Sequence, residues 1–212
     1  MRDPHSDARR AKLRRFYRTQ SFIYDATRWA FLFGRDALLR NAARLATQKG
    51  RSVRSLLEVG CGTGRNLAAL ARLFPEARLT GLDLSPHMLR RARSALRHAE
   101  ERTTLLEADY LDAPDFSEPF DLILFSYSLS MMHPVQEAIL DRARRDLGPG
   151  GLLAALDFYD SNFNLYKRYM RTNHVFVDGR LLPFIQKSFE PASLTVRDAP
   201  GGLWSYFEFL GG

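Results

Sequence analysis

The segment Leu56-Leu57-Glu58-Val59-Gly60-Cys61-Gly62-Thr63-Gly64 runs an apolar stretch into three glycines at alternate positions. Strand-like residues that break into such a loop place backbone where a ligand must come very close. A side chain at Gly60 or Gly62 would fill that space, and glycine also permits the tight turn into the next helix. The following apolar run, Thr80-Gly81-Leu82-Asp83, ends on a lone acid, the position from which a ribose diol is held. The pattern predicts a nucleoside cofactor on a Rossmann-type α/β fold.

Spacing narrows the cofactor. A dinucleotide fingerprint requires glycine at its first, third and sixth places, and counting from Gly60 the sixth is Arg65. That disfavours a nicotinamide oxidoreductase, and no Gly-Lys-Ser/Thr supplies a P-loop. What remains is E-x-G-x-G-x-G, which resembles the first motif of class I S-adenosylmethionine-dependent methyltransferases. The resemblance implies that Glu58 helps organise the amino end of the cofactor's methionine tail, with Gly60, Cys61, Gly62 and Gly64 forming the loop around it. Cys61 reads as a small apolar spacer rather than a nucleophile.

Downstream of the loop, strand and helix alternate. Strands are expected at about 54–59, 78–83, 103–107, 120–125 and 151–157, and helices at about 64–74, from Ser85-Pro86, and at about 134–147. Repeated units of this kind form a parallel sheet with helices on both faces. Residues 162–190 are polar, aromatic and basic and read as an insertion, at about 160–190, rather than a sheet helix. Two last strands, about 193–198 and 203–210, close the chain as an antiparallel hairpin. This matches the seven-stranded, mostly parallel Rossmann-like sheet with an antiparallel edge strand of the methyltransferases, over residues 53–212.

Ligands of open α/β sheets sit beyond the carboxyl ends of the strands. Besides the glycines, that rim should hold Asp83 for the ribose with Leu84 as an apolar wall for adenine. It also brings Asp109-Tyr110, where the resemblance implies an acid accepting from the adenine amino group, and Ser126-Tyr127 on the methyl-transfer side. The sequence there, Phe125-Ser126-Tyr127-Ser128, is not the Asp/Asn-Pro-Pro-Tyr/Phe of enzymes acting on nucleic-acid bases, so nucleic acid is not the expected acceptor. Asp121, at the start of its strand, reads as structural. His133 before Pro134 is either a general base or a loop residue capping the next helix.

Composition bounds the rest. At 212 residues the chain suffices for one methyltransferase domain, and its single cysteine excludes an internal disulfide and a Cys-based zinc cluster, so no metal is expected. No run is long and apolar enough to span a bilayer, and the first residues lack a secretory apolar core, which reads as cytoplasmic. Charge is uneven: residues 1–20 hold seven basic and two acidic side chains, +5 of the formal +7. Residues 8–48 read as Arg-rich amphipathic helix, so 1–52 is expected to be a basic helical arm and lid, with peripheral attraction to anionic membrane.

Tyr24-Asp25-Ala26-Thr27-Arg28 followed by Leu32-Phe33-Gly34-Arg35-Asp36 resembles a signature of bacterial diacylglyceryl-homoserine N-methyltransferases, which build a betaine lipid. Asp178-Gly179-Arg180-Leu181-Leu182-Pro183 and Gly201-Gly202-Leu203-Trp204-Ser205-Tyr206-Phe207 are similar too. The resemblance implies a lipid substrate whose amine is methylated three times, with Arg28 or Arg35 for its carboxylate and Tyr24 and Tyr127 among the aromatic faces around the ammonium product. A quinone, phosphatidylethanolamine or another small acceptor is the alternative, and a non-catalytic cofactor-binding protein on anionic membranes the alternative of another class.

Overall fold

The computed structural model describes residues 32–212. Tyr24, Arg28 and the basic arm lie outside the described residues. The first helix, α1 (Arg35–Gln48), starts after Gly34, which holds a left-handed conformation (φ 83°), and buries Leu38, Leu39, Ala42 and Ala46. Then come β1 (Ser55–Val59), α2 (Arg65–Leu73), β2 (Arg78–Asp83), α3 (Pro86–Ala95), β3 (Thr103–Glu107) and β4 (Phe120–Ser126). The chain continues through α4 (Gln136–Asp146), β5 (Leu147–Phe158), α5 (Asn164–Thr172), α6 (Leu181–Ser188), β6 (Pro191–Asp198) and β7 (Ser205–Gly211).

The sheet order is β3-β2-β1-β4-β5-β7-β6. The first five strands are parallel, and β7 inserts antiparallel between β5 and β6. Chain order reverses between β1 and β4, so the carboxyl ends of those two strands open the crevice in which such sheets bind ligands. Because strand side chains alternate between faces, Leu56, Leu122 and Leu124 join the core beneath α1, α2 and α3, whereas Leu57, Ile123 and Phe125 join the core beneath α4 and α6. Each fully buried leucine contributes about 1.5–3 kcal/mol, so both layers are needed to hold the rim loops still.

The expected strands and helices recur within a few residues, and Ser85 caps α3 by accepting from the Met88 amide, with Pro86 in the first turn. Asp121 is structural: one carboxylate oxygen accepts from the Arg54 and Ser55 amides at 2.7 and 2.9 Å and fixes the entry of β1. The 160–190 insertion needs correction in its second half. There Leu181, Leu182 and Ile185 bury themselves beside α4, so α6 is a true sheet-covering helix that its short apolar stripe concealed.

Candidate active site

Three loop conformations fix the crevice. Gly60, Gly62 and Gly64 all have positive φ (77°, 55° and 75°). A Cβ at Gly60 would stand 2.7 Å from the Ser128 Cβ, and one at Gly64 would stand 3.0 Å from Ala92 on α3. The Gly60 and Cys61 amides both donate to the Leu82 carbonyl at 2.8 Å, which ties the glycine loop to the end of β2. Opposite, Tyr127 adopts φ 56° after β4, a left-handed backbone that costs a non-glycine residue about 1–2 kcal/mol. Its amide bond to the Leu156 carbonyl (2.7 Å) and its buried ring hold it there.

The crevice divides into a polar recess and an apolar cavity that share Gly60. Arg35, Glu58, Cys61, Asn66 and Ser126 line the recess. Glu58 is 1% exposed and accepts from the Asn66 side-chain amide at 2.7 Å. Burial pushes its carboxyl up from 4.5 to about 8, partly countered by the Asn66 hydrogen bond and the Arg35 charge, while the Asp83 charge raises it further. Glu58 Oε2, Asn66 Oδ1 and Ser126 Oγ are buried with no hydrogen-bond partner among the described residues. Buried polar atoms of this kind are rare unless something completes them. Buried acceptors and the Arg35 side chain thus line the same recess. Cys61 is no nucleophile, since burial and the Glu58 and Asp83 charges hold its thiol well above the usual range.

The cavity encloses about 330 Å³. At one end stand Asp83, Leu84, Met88, Asp109 and Tyr110, and at the other Tyr127, Met131, Met132, His133, His174 and Phe176. Asp83 is aimed by two amides, Gly62 to one oxygen and Ser85 to the other, both at 2.8 Å. These two bonds fix the orientation of the carboxylate at the end of β2. Asp109 caps the turn at Tyr110 by accepting from the Leu111 amide. The Tyr110 hydroxyl donates to Asp146 at 2.7 Å and its ring lies under the Arg142 guanidinium, so it is a wall rather than a proton donor.

The structure revises several expected roles. Arg35, expected at the acceptor's carboxylate, lines the recess with Glu58, and its charge acts on both Glu58 and Tyr127. The Tyr127 hydroxyl donates to the Phe33 carbonyl at 2.8 Å, and burial pushes its pKa well above the usual tyrosine range, so the hydroxyl is committed to the backbone and stays protonated. His133 does not cap α4, whose N-cap is Val135 without a side-chain bond. Its imidazole stacks on Phe176 instead, with centroids 4.2 Å apart.

Sequence reasoning missed Asn66, Ser128, Phe176 and Asp157. Asn66 is the second residue of α2 and is legible only once the helix is known to start at Arg65. Ser128 donates to the Val59 carbonyl at 2.9 Å and sets the roof over Gly60. Asp157 is fully buried, and its carboxylate accepts from the Ser130 and Phe158 amides at 3.0 and 2.9 Å. Burial lifts it to about 6 against those bonds. It anchors the turn carrying Met131 and Met132.

Fold and site thus define a protein that holds an adenosyl amino acid at the switch point of a doubly wound sheet. Comparison with known proteins agrees. A methyltransferase domain model matches residues 56–151. Over 168 residues the chain is 34% identical to a demethylmenaquinone methyltransferase of Tropheryma whipplei, covering 76% of this chain and 67% of the relative. Among solved structures, the 1,6-didemethyltoxoflavin-N1-methyltransferase of Burkholderia thailandensis, bound to S-adenosylhomocysteine, aligns with a TM-score of 0.69 at 20% identity, over 100% of this chain and 90% of its own. The N-methyltransferase NodS of Bradyrhizobium japonicum, also bound to S-adenosylhomocysteine, aligns with a TM-score of 0.67 at 19% identity, over 84% of each chain. The chain belongs to the S-adenosylmethionine-dependent methyltransferases, and S-adenosylmethionine is its methyl donor.

Proposed function

We propose that this enzyme methylates a lipid-phase acceptor, and that the acceptor is the amine of diacylglyceryl-homoserine, carried through three methylations to the betaine headgroup. The observation that carries this reading is the aromatic end of the cavity, where the Tyr127 ring and the His133–Phe176 stack lie beside two methionines. Such faces stabilise a quaternary ammonium by roughly 0.5–2 kcal/mol each. The likeness of the Leu32–Asp36 and Asp178–Pro183 segments to the betaine-lipid enzymes supports the same acceptor.

The donor supplies an electrophilic sulfonium methyl. Glu58 and Ser126 would take the ammonium of its tail, Arg35 the tail carboxylate, Asp83 the ribose diol, and Leu84, Asp109 and Tyr110 the adenine. A neutral amine attacks through its own lone pair, so the protein needs to align it, exclude water and accept a spreading positive charge. The aromatic wall does the last of these; the ammonium formed by each of the first two transfers loses a proton to solvent before the next attack, so no strong base is required. Arg28 remains the proposed partner of the lipid carboxylate, because Arg35 is the residue proposed for the cofactor's tail.

The 34% identical relative favours a second reading, C-methylation of a quinol. That reaction needs a phenolate, and His133 on the cavity wall would remove the proton. Purified enzyme is given S-adenosylmethionine with diacylglyceryl-homoserine or with demethylmenaquinol in mixed micelles, and products are read by mass spectrometry. Three successive methylene additions to the first lipid support the amine reading. A single addition to the quinol, with the lipid unchanged, replaces it. His133→Ala adds a second separation: loss of about 10²-fold or more in kcat fits base catalysis on a quinol, and a change within about tenfold fits the amine.

A further inference from the structure

Helix α5 buries none of its residues, although it lies against the body of the protein. Tyr166 stacks on the buried Trp204 with centroids 5.5 Å apart, and Met170 packs on the same core, while the flanking side, about 100° round the helix, faces outward. On that side Leu165 is 83% exposed and Tyr169, one turn later, 64%, with Phe163 at the helix start 51% exposed. Residues four apart share a helix face, so Leu165 and Tyr169 form one apolar ridge. The helix holds Lys167, Arg168 and Arg171 and no acid. Lys167 pairs with Asp160 at 2.6 Å, and the nearby Asp178 is engaged by Arg180. Arg171 lies over the Phe176 ring of the cavity wall at 5.7 Å, so the helix leads directly into the aromatic end of the active site.

We propose that α5 is the membrane-docking element of this enzyme, seating Phe163, Leu165 and Tyr169 in the interface of an anionic bilayer while Arg168 and Arg171 meet its phosphates. An aromatic and leucine ridge beside arginines is the composition of an in-plane interfacial helix. A second copy of the chain is the poorer occupant, because two such helices face to face would oppose like charges. A docked α5 would set the mouth of the cavity at headgroup level, so the acceptor need not leave the bilayer. The surface is read from the helix alone and does not depend on which lipid-phase acceptor is used.

The test is sedimentation of the full chain with phosphatidylcholine vesicles, with and without phosphatidylglycerol, in the absence of any acceptor. Anionic vesicles should bind the protein, and the paired variant Leu165→Ser, Tyr169→Ser should lose at least about tenfold in partition, the loss that removing apolar burial of this size predicts. Arg168→Gln should lower binding to phosphatidylglycerol vesicles and leave binding to phosphatidylcholine unchanged. Titration with S-adenosylhomocysteine establishes that each variant is folded, since none of these residues touches the cofactor recess. Undiminished vesicle binding by the paired variant, with binding abolished instead by removing residues 1–15, would overturn the proposal in favour of the basic arm. No binding by the parent chain, or a dimer that the paired variant dissolves, would overturn it too.

Discussion

The two halves of the crevice meet at Gly60 and are built on opposite principles. The polar recess is preformed and incomplete: Glu58, Asn66 and Ser126 bury atoms that no described residue satisfies. Its chemistry therefore names its occupant. The aromatic end of the cavity has apolar and stacked side chains whose needs are already met, such as the Tyr127 hydroxyl on the Phe33 carbonyl. Surfaces of that kind accept many molecules of similar shape and discriminate between them by small energies. The donor is thus defined by unmet hydrogen bonds, and the acceptor by packing.

The strongest test of this division is Gly60→Val, which pushes a side chain against Ser128 from a left-handed backbone and so damages both halves at once. Affinity for S-adenosylhomocysteine should fall on the order of 100-fold, with a lowered Tm, as calorimetry would show. An intact affinity would mean that the loop does not approach the cofactor.

Asp83→Ala comes next, striking the donor half alone. It strips the partner from the Gly62 and Ser85 amides, each worth about 1–3 kcal/mol, and removes the proposed ribose acceptor. Cofactor affinity should drop about 10- to 100-fold, and Asp83→Asn should lose less because one oxygen remains.

A pH series sharpens the assignment of Glu58. Its carboxyl, raised from 4.5 to about 8, is protonated at neutral pH in the empty protein. The native state then binds more protons than the unfolded state, so its contribution to stability is full below pH 4.5 and is lost as pH rises through 8. An ammonium placed beside it favours the ionised form, so binding releases a proton. S-adenosylhomocysteine affinity should therefore increase by up to about tenfold per pH unit toward pH 8 and then level off. Glu58→Gln should flatten the profile, and a slope that survives in it would reject the pairing.

Phe176→Ala should have the smallest effect and the most selective. Acceptor KM should rise a few-fold, about 0.5–1 kcal/mol for one aromatic face at a partly exposed site, with cofactor Kd unchanged. Equal changes in both constants would show that the two halves of the crevice are not separable.

Much of this molecule was legible beforehand because the relevant signals are local. The glycine spacing, the acid ending β2, Ser85-Pro86 before α3 and the alternating apolar runs each depend on neighbours a few residues away, where backbone sterics dictate the outcome. The misreadings share the opposite property. The place of Arg35 beside Glu58 depends on how α1 lies over the sheet, and the stack of His133 on Phe176 joins residues 43 apart. The second half of the insertion was misread because α6 becomes amphipathic only against α4.

By itself the sequence determined the sheet, its switch point and the class of cofactor, since a turn that only glycine can take leaves few alternatives. Only the tertiary structure decided which polar atoms are buried unfinished, which hydroxyl is already spent, and which face of α5 stays outside. Burial and hydrogen-bond satisfaction belong to the packed molecule, because they depend on what distant segments bring to the same few ångströms.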